Sequence, residues 1–263
     1  MSTPLIQVER SPSGVVTLAL NRPNALNAMT AELGDALIHK ISDVKSDPDV
    51  RAVVLTGVGK AFSAGGDLKM IEENGNQPIL ENRTYMKEFY RRYLTIREIP
   101  VPVIAAFNGA AIGAGLCIGL ACDIRLASDD AKLALNFVKL GLHPGMGATW
   151  LLPRLVGPQA AADLLLTGRT LTAEEALRIG LVHRVVPKDH ILLEAVKLAE
   201  EIAHQAPVAV RLTKKALQHS EGNSLDEQLD FEAIQQAVTF ATEDFREGIS
   251  AVKDKRIPKF HGK

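Results

Sequence analysis

Two short segments rich in glycine and alanine have the composition of turns that could hold one carbonyl oxygen. Residues 61–67 (AFSAGGD) follow the apolar run 52–57, and residues 108–117 (NGAAIGAGLC) follow the apolar run 103–107. Each pattern predicts a strand, a tight turn and a helix start, where backbone N–H groups lack partners. Two such amides aimed at one point form an oxyanion hole, which stabilises the charge that develops in acyl-group chemistry. Small residues are needed because a side chain would block the carbonyl.

The order of these and other motifs resembles the crotonase family, the enoyl-CoA hydratase/isomerase superfamily, over nearly the whole chain. The matching segments are LNRP at 20–23 with ALNA at 25–28, FSAGGDL at 62–68, residues 108–123, PGMGAT at 144–149, TAEEA at 172–176 with GLV at 180–182, and KFHGK at 259–263. By this resemblance Ala64 and Ala114 supply the two oxyanion amides, and the ligand is an acyl-CoA thioester. CoA is then part of the substrate, and neither a separate cofactor nor a metal is expected.

The positions that usually carry acid and base groups in this family lack carboxylates here. One glutamate position aligns with Cys117 and the other with Phe137, while a carboxylate position of some isomerases aligns with Gly145. Hydration requires a titratable group within about 3 Å of each proton that moves. The sequence therefore supports thioester binding but not ordinary crotonyl-CoA hydration.

Other residues near the predicted site could move or hold a proton. His143 precedes the Pro-Gly turn, and histidine is the residue type suited to proton transfer at neutral pH; a loop histidine with a purely structural role is the alternative. Cys117 lies one turn after Ala114, where a helix N-terminus can lower the pKa of a thiol. The alternative is that Cys117 is a small apolar residue of the pocket wall. Asn136 and Lys139 could hydrogen-bond a polar acyl group.

The resemblance also implies where the CoA portion binds. Arg22, Ala25 and Leu26 would lie near the pantetheine and phosphates, residues 64–67 would border the adenine pocket, and Phe260 and Lys263 would reach CoA from a neighbouring subunit. The alternative for Phe260 and Lys263 is an exposed basic tail. The alternative for Asp67 is an acidic residue that interacts with the helix dipole at a helix start. The predicted CoA contacts are Arg22, Ala25, Leu26, Gly65, Gly66, Asp67, Phe260 and Lys263.

The apolar patterns predict an α/β protein. Strands are expected at 15–20, 52–56, 103–107 and 124–127, with a helix beginning after Thr30 and another opening at Pro144. The polar stretch 72–83 is interpreted either as a mobile lid over the site or as a surface insertion. From about residue 189 only helices with apolar stripes are expected. The resemblance implies a spiral of ββα units over 1–188 and a helical trimerisation region over 189–263, giving a homotrimer or a dimer of trimers.

Composition excludes several classes of protein. The 263 residues are 46% hydrophobic and carry a formal net charge of −1, so no nucleic-acid-binding signature is present. Two cysteines give no disulfide framework. Neither a signal peptide nor a membrane-spanning run is recognisable, and a cytoplasmic setting is expected.

Three kinds of function remain open at this point. The first is a crotonase-type enzyme that acts on an acyl-CoA thioester and stabilises a thioester enolate without the usual glutamates. The second is an acyl-CoA-binding homologue with weak or no catalysis. The third is a structural oligomer whose helices assemble with partners, which the two predicted oxyanion turns disfavour.

Overall fold

The computed structural model describes residues 3–263 and has an α/β architecture. Within those residues the strands are β1 (Ile6–Arg10), β2 (Val15–Leu20), β3 (Ala52–Gly57), β4 (Ala61–Ser63), β5 (Val103–Phe107), β6 (Ala110–Ile112), β7 (Ile124–Ser128), β8 (Lys132–Ala134), β9 (Thr170–Thr172) and β10 (Arg184–Val186). The helices are α1 (Ala31–Ser46), α2 (Leu68–Gly75), α3 (Ile79–Leu94), α4 (Ala114–Leu120), α5 (Ala148–Thr167), α6 (Ala173–Arg178), α7 (Ile191–Ala203), α8 (Pro207–His219), α9 (Leu225–Phe240) and α10 (Glu243–Asp254).

The larger of two sheets contains all four strands that the apolar runs predict. Its order is β1-β2-β3-β5-β7-β10, with β1 antiparallel to β2 and every other pair parallel. Every residue of β2, β3 and β5 is buried. Continuous apolar strands of this kind are expected where both faces of a parallel sheet are covered.

The smaller sheet, in the order β4-β6-β8-β9, consists of three-residue strands that the sequence patterns did not predict. Each pair β3/β4, β5/β6 and β7/β8 gives its first strand to the large sheet and its second to the small one. A helix or 3₁₀ turn follows each pair: α2, α4 and the turn Asn136–Leu140. This repetition is the ββα arrangement that the resemblance implies, and it is confirmed.

Two elements differ from the sequence prediction in extent. Residues 72–83 are not an irregular segment, because α2 and α3 occupy most of them. The helix expected to open at Pro144 begins only at Ala148, since Met146 and Gly147 have φ values of 55° and 71°, outside the helical region.

The helices after residue 189 do not all pack alike. Helix α7 covers one face of the large sheet, where Ile191, Ala195 and Ala199 join a cluster with Val54 and Ile104. Because α7 belongs to the same core as the strands, the packing shows no break at the predicted boundary between 1–188 and 189–263. That division stays a prediction.

Helix α8 makes polar contacts with the core, whereas α9 is largely exposed. The buried Lys214 on α8 donates from Nζ to the Val101 carbonyl at 2.9 Å and to Asp123 Oδ2 at 2.7 Å. Helix α9 has no buried residue and presents apolar side chains such as Leu229, Ile234 and Val238 to its exterior. Residues 3–263 include no helix that is both long and apolar enough to cross a membrane.

Candidate active site

The first glycine-rich turn runs from the end of β4 to the start of α2. The Ser63 hydroxyl donates to the Asn27 carbonyl at 2.8 Å and accepts from the Gly65 amide at 3.2 Å, which holds the turn closed. Gly65 has a φ of 93°, and a Cβ there would lie 2.6 Å from the Ile112 carbonyl oxygen. Glycine is therefore required at residue 65, both for its backbone conformation and for the close approach of the second turn.

The amide of Ala64 already has a partner within the chain. It donates to the Leu26 carbonyl at 2.9 Å. This contradicts the prediction that Ala64 supplies an oxyanion amide, because a ligand oxygen could bind there only if that hydrogen bond were broken. Ala64 still lines the candidate cavity, but as a wall residue.

The amide of Gly66 is the one that this turn leaves open. Gly66 forms a parallel bridge with Met29, in which the Met29 amide donates to the Gly65 carbonyl at 2.7 Å and the Asp67 amide donates to the Met29 carbonyl at 3.1 Å. These two hydrogen bonds use the carbonyl of Gly65 and the amide of Asp67. In a parallel pair the residue between them points its own N–H to the opposite side, so the Gly66 N–H faces away from Met29. Across residues 3–263 that N–H has no backbone partner.

The second turn presents the amide of Ala114, as the sequence predicts. Gly113 has a φ of 53° and accepts the first helical bond from the Cys117 amide at 3.1 Å. The preceding amides of the helix, beginning with Ala114, therefore point out of its N-terminus. A Cβ at Gly115 would lie 2.5 Å from the Ser63 carbonyl oxygen, so α4 lies directly against the first turn.

The two turns line one cavity with a volume of about 310 Å³. Its wall consists of backbone from Gly66 and Ala114, side chains of α2 and α3, and the loop before α5. No Asp, Glu, Lys or Arg is part of this lining. The lining residues are Ala64, Gly65, Gly66, Leu68, Met70, Ile71, Asn74, Gly75, Asn82, Met86, Phe89, Tyr90, Gly113, Ala114, Asn136, Phe137, Leu140, Leu142, His143 and Met146.

Cys117 is not a reactive thiol in this structure. It is fully buried, lies outside the cavity lining, and its Sγ contacts the Gly145 carbonyl at 3.8 Å. Burial raises the pKa of the Cys117 thiol well above its ordinary value, the opposite of the activation considered from the sequence. The prediction of a catalytic Cys117 is wrong, because burial in an apolar core outweighs the effect of the short helix N-terminus.

The other proton-transfer candidates separate into two groups. His143 and Asn136 line the cavity together with Phe137, whereas Lys139 does not. The His143 ring is exposed, and its Nδ1 lies 2.8 Å from the Pro144 carbonyl oxygen. If Nδ1 carries the proton and donates it to that carbonyl, Nε2 is left as the nitrogen that can accept a proton.

One face of α3 forms a wall of the cavity that the sequence analysis did not identify. Asn82, Met86 and Tyr90 follow one another at four-residue spacing and all line it. That spacing brings side chains onto one helix face. The pattern was present in the sequence, but nothing in the sequence showed which face of α3 meets the two turns.

The residues predicted to contact CoA occupy three places. Gly65 and Gly66 line the cavity, while Arg22 forms an ion pair with Asp67 at 3.4 Å outside it. Asp67 also caps α2 by accepting from the Lys69 amide at 3.1 Å, which is the helix-start role. Ala25 and Leu26 lie in and just after a 3₁₀ turn near Arg22, and they do not line the cavity.

The C-terminal tail folds back on its own helix. The buried Asp244 carboxylate accepts from the amides of His261 and Gly262 at 2.7 and 2.8 Å, and the Lys263 carbonyl accepts from the Glu243 amide at 2.7 Å. Phe260 packs beside Gly248. Neither Phe260 nor Lys263 lines the cavity of the same chain, so their contact with CoA stays a prediction.

Comparison with known proteins identifies the class to which this fold and site belong. Residues 10–263 match the family model described as enoyl-CoA hydratase/isomerase, and the chain belongs to that family. It is 39% identical to the 1,2-epoxyphenylacetyl-CoA isomerase of Escherichia coli, covering 95% of this chain and 96% of the relative. It is 37% identical to the short-chain-enoyl-CoA hydratase of Clostridium acetobutylicum, covering 92% of each.

A solved structure shows the same fold over the whole length. The crystal structure of an enoyl-CoA hydratase from Bacillus anthracis superposes with a TM-score of 0.93 at 36% identity, covering 98% of this chain and 100% of the other. The predicted family and α/β crotonase fold are therefore confirmed. Because relatives are named as hydratases and as an isomerase, the predicted enzyme class, lyase or isomerase, is confirmed for the family.

Proposed function

We propose that this chain processes an acyl-CoA thioester whose carbonyl oxygen lies between the amides of Gly66 and Ala114. The observation that carries the proposal is that both amides lack a hydrogen-bond partner among residues 3–263 and border the same cavity. A thioester oxygen there accepts two hydrogen bonds, and these strengthen as an enolate develops. Gly66 takes the role that the sequence analysis gave to Ala64.

The cavity is where the acyl group binds, and its lining restricts that group. Its wall contains no Lys or Arg, so an acyl carboxylate would lose its hydration with only a protonated His143 able to pair it. The lining therefore favours an uncharged acyl group. The mostly apolar surface from Met70, Ile71, Phe137 and Leu142 favours hydrocarbon close to the thioester.

A panel of acyl-CoA thioesters tests this function and its alternative together. We expect native mass spectrometry to detect bound thioesters with straight-chain, branched or aromatic acyl groups, and to detect weaker binding of succinyl-CoA, whose acyl carboxylate is charged. Chromatography of the same mixtures reports whether any ligand is converted. Binding without conversion would identify a non-catalytic acyl-CoA-binding protein, and the absence of binding by every member would contradict the proposal.

His143 is the residue that we propose to carry a proton in catalysis, since it combines a titratable ring with a place in the cavity wall. With an active substrate in hand, His143→Asn is expected to preserve thioester binding and to lower turnover at least about tenfold, a modest share of general acid–base catalysis. Full activity of the variant from pH 6 to 9 would show that the ring has no such role. His39→Asn, on the exposed side of α1, is the matched control.

The CoA portion and the quaternary structure are parts of the same proposal. Arg22 lies next to the first turn, where its cation is suited to a CoA phosphate, and Phe260 and Lys263 belong to a tail that reaches CoA only across a subunit boundary. The unpartnered apolar faces of α9 and α10 support assembly as a homotrimer or a dimer of trimers. The cytoplasmic setting stays a prediction.

A further inference from the structure

Asn74 and Gly75 form an Asn-Gly dipeptide in the wall of the cavity. The sequence contains one other such dipeptide, Asn108-Gly109, in the second turn. A glycine after asparagine leaves the main-chain nitrogen between them unshielded, because glycine has no Cβ. That nitrogen can attack the carbonyl carbon of the asparagine side chain, which is the first step of spontaneous deamidation. The rate of this step depends on how firmly each dipeptide is held.

The structure holds Asn108 firmly in place. Its Nδ2 donates to the carbonyls of Gly57 and Gly59 at 2.8 and 2.9 Å, and its Oδ1 accepts from the Gly57 amide at 3.3 Å. Gly109 is buried, and a Cβ there would lie 2.2 Å from the Lys60 carbonyl oxygen. The Asn108 side chain therefore cannot turn towards the Gly109 nitrogen without breaking these hydrogen bonds.

Asn74 and Gly75 have far fewer constraints. Across residues 3–263 the only hydrogen-bond partner of the Asn74 side chain is Met86 Sδ, 3.4 Å from Nδ2, and a thioether is a weak acceptor. Gly75 is exposed, and a Cβ there would meet no atom within 4 Å. Gly75 is also the last residue of α2, a helix without a buried residue. Such a helix end opens readily, which frees the Gly75 nitrogen and the main-chain dihedrals of Asn74.

We infer that Asn74 is a site of spontaneous deamidation, whose product places a carboxylate in the wall of the cavity. The Gly75 nitrogen forms a bond to Asn74 Cγ, the bond from Cγ to Nδ2 breaks, and ammonia leaves with the proton of the Gly75 amide. Water then adds to either carbonyl carbon of the cyclic imide and opens the ring, and a proton of the water returns to the Gly75 nitrogen. The products are aspartate and isoaspartate at residue 74, and neither an oxidant nor a reductant is needed.

The new carboxylate changes the electrostatics of the cavity, whose lining contains no Asp or Glu and no Lys or Arg. A bound acyl group would cover the carboxylate and remove part of its hydration, which costs free energy. The charge also lies in the last turn of α2, where the helix dipole disfavours an anion. In isoaspartate the main chain is longer by one carbon, which displaces the Asn74 carbonyl that accepts from Asn82 Nδ2 at 3.0 Å. Deamidation is therefore expected to weaken thioester binding and to loosen the contact between α2 and α3.

Peptide mass spectrometry of protein aged at mildly alkaline pH tests the modification itself. We expect aspartate and isoaspartate to form at residue 74 at least about tenfold faster than at residue 108, the effect of one to two net hydrogen bonds that only Asn108 must break. Gly75→Ala should suppress the reaction at residue 74, because its Cβ shields the attacking nitrogen and meets no atom within 4 Å. Equal rates at the two asparagines of the wild-type protein would overturn the inference.

Calorimetry with butyryl-CoA tests the consequence for the cavity, which rests on the proposed function. We expect Asn74→Asp to bind at least about fivefold more weakly than wild-type protein, the effect of partly desolvating a carboxylate. Asn76→Asp makes the same charge change on an exposed residue outside the cavity lining, so it is the matched control and should keep wild-type affinity. Aged wild-type protein should lose affinity relative to fresh protein, whereas aged Gly75→Ala should bind as tightly as fresh Gly75→Ala.

The two measurements fail in distinguishable ways. Unchanged affinity in Asn74→Asp would contradict the inferred place of the carboxylate in the cavity wall, while the acyl-CoA proposal would stand. Fresh wild-type protein that binds no thioester would contradict the proposed function, while deamidation confined to residue 74 would still establish the modification site.

Discussion

Replacing Ala114 with proline is expected to lower turnover of a converted acyl-CoA about 10²- to 10³-fold, the effect of losing one oxyanion donor. Ala114 is the first residue of α4, and its amide makes no hydrogen bond within the part of the chain that the structure describes. Proline is tolerated at the first position of a helix because the missing N–H has no helical partner there. The substitution therefore removes the donor with little change to the helix, and steady-state kinetics measures the loss.

A matched substitution separates the loss of the donor from damage to the fold. Ala31 is the first residue of α1, away from the cavity, and Ala31→Pro makes the same chemical change at a helix start with no role in the site. We expect Ala31→Pro to retain wild-type turnover and both variants to retain wild-type circular dichroism. A folded Ala114→Pro protein with unchanged affinity and turnover would contradict the assignment of this amide.

Hydration of crotonyl-CoA is expected to run several decades below the roughly 10 s⁻¹ of an ordinary enzyme. General acid–base groups contribute about 10²- to 10⁴-fold, and the cavity lining contains no carboxylate. At the two aligned glutamate positions, Phe137 has no proton to transfer and Cys117 is buried outside the cavity. The oxyanion amides polarise the thioester but do not deprotonate water.

Chromatographic detection of 3-hydroxybutyryl-CoA measures this rate. Crotonyl-CoA binding must be measured in the same preparation, so that a low rate can be assigned to missing proton transfer and not to missing substrate. The short-chain-enoyl-CoA hydratase of Clostridium acetobutylicum, 37% identical, is a suitable comparison enzyme. Turnover near 10 s⁻¹ by this chain would show that another group moves the protons.

Four of the six strands of the large sheet could be predicted because their signals are local, whereas β1 and β10 were not predicted. Runs such as 15–20 and 103–107 are buried throughout, and Thr30 caps α1 by accepting from the Leu33 amide at 3.2 Å. The small sheet could not be predicted from sequence patterns, because three-residue strands are too short to show a periodicity. Its pairing partners lie far apart in the chain, and the family resemblance implied only the ββα repeat.

The sequence predicted that the two turns meet, but it did not predict which amide of the first turn is left without a partner. Both turns meet at one cavity, but the open amide of the first turn belongs to Gly66. The difference depends on the Leu26 carbonyl, which reaches Ala64 from a separate part of the chain. Tyr90 was missed for the same kind of reason, since the orientation of α3 follows from its packing against the core. Local composition identifies a turn, but the partners of each amide are set by tertiary structure.

The close approach of Gly65 to Ile112, and of Gly115 to Ser63, has a consequence for how such a protein can change over evolution. Because main-chain atoms of the two turns contact each other directly, side-chain replacements elsewhere leave the spacing of the Gly66 and Ala114 amides unchanged. Under the proposed function, the acyl group is selected separately, by side chains of α2, α3 and the loop before α5. Mutations in those segments would then change the reaction without changing the two amides proposed to hold the thioester, so new reactions could evolve without loss of ligand binding.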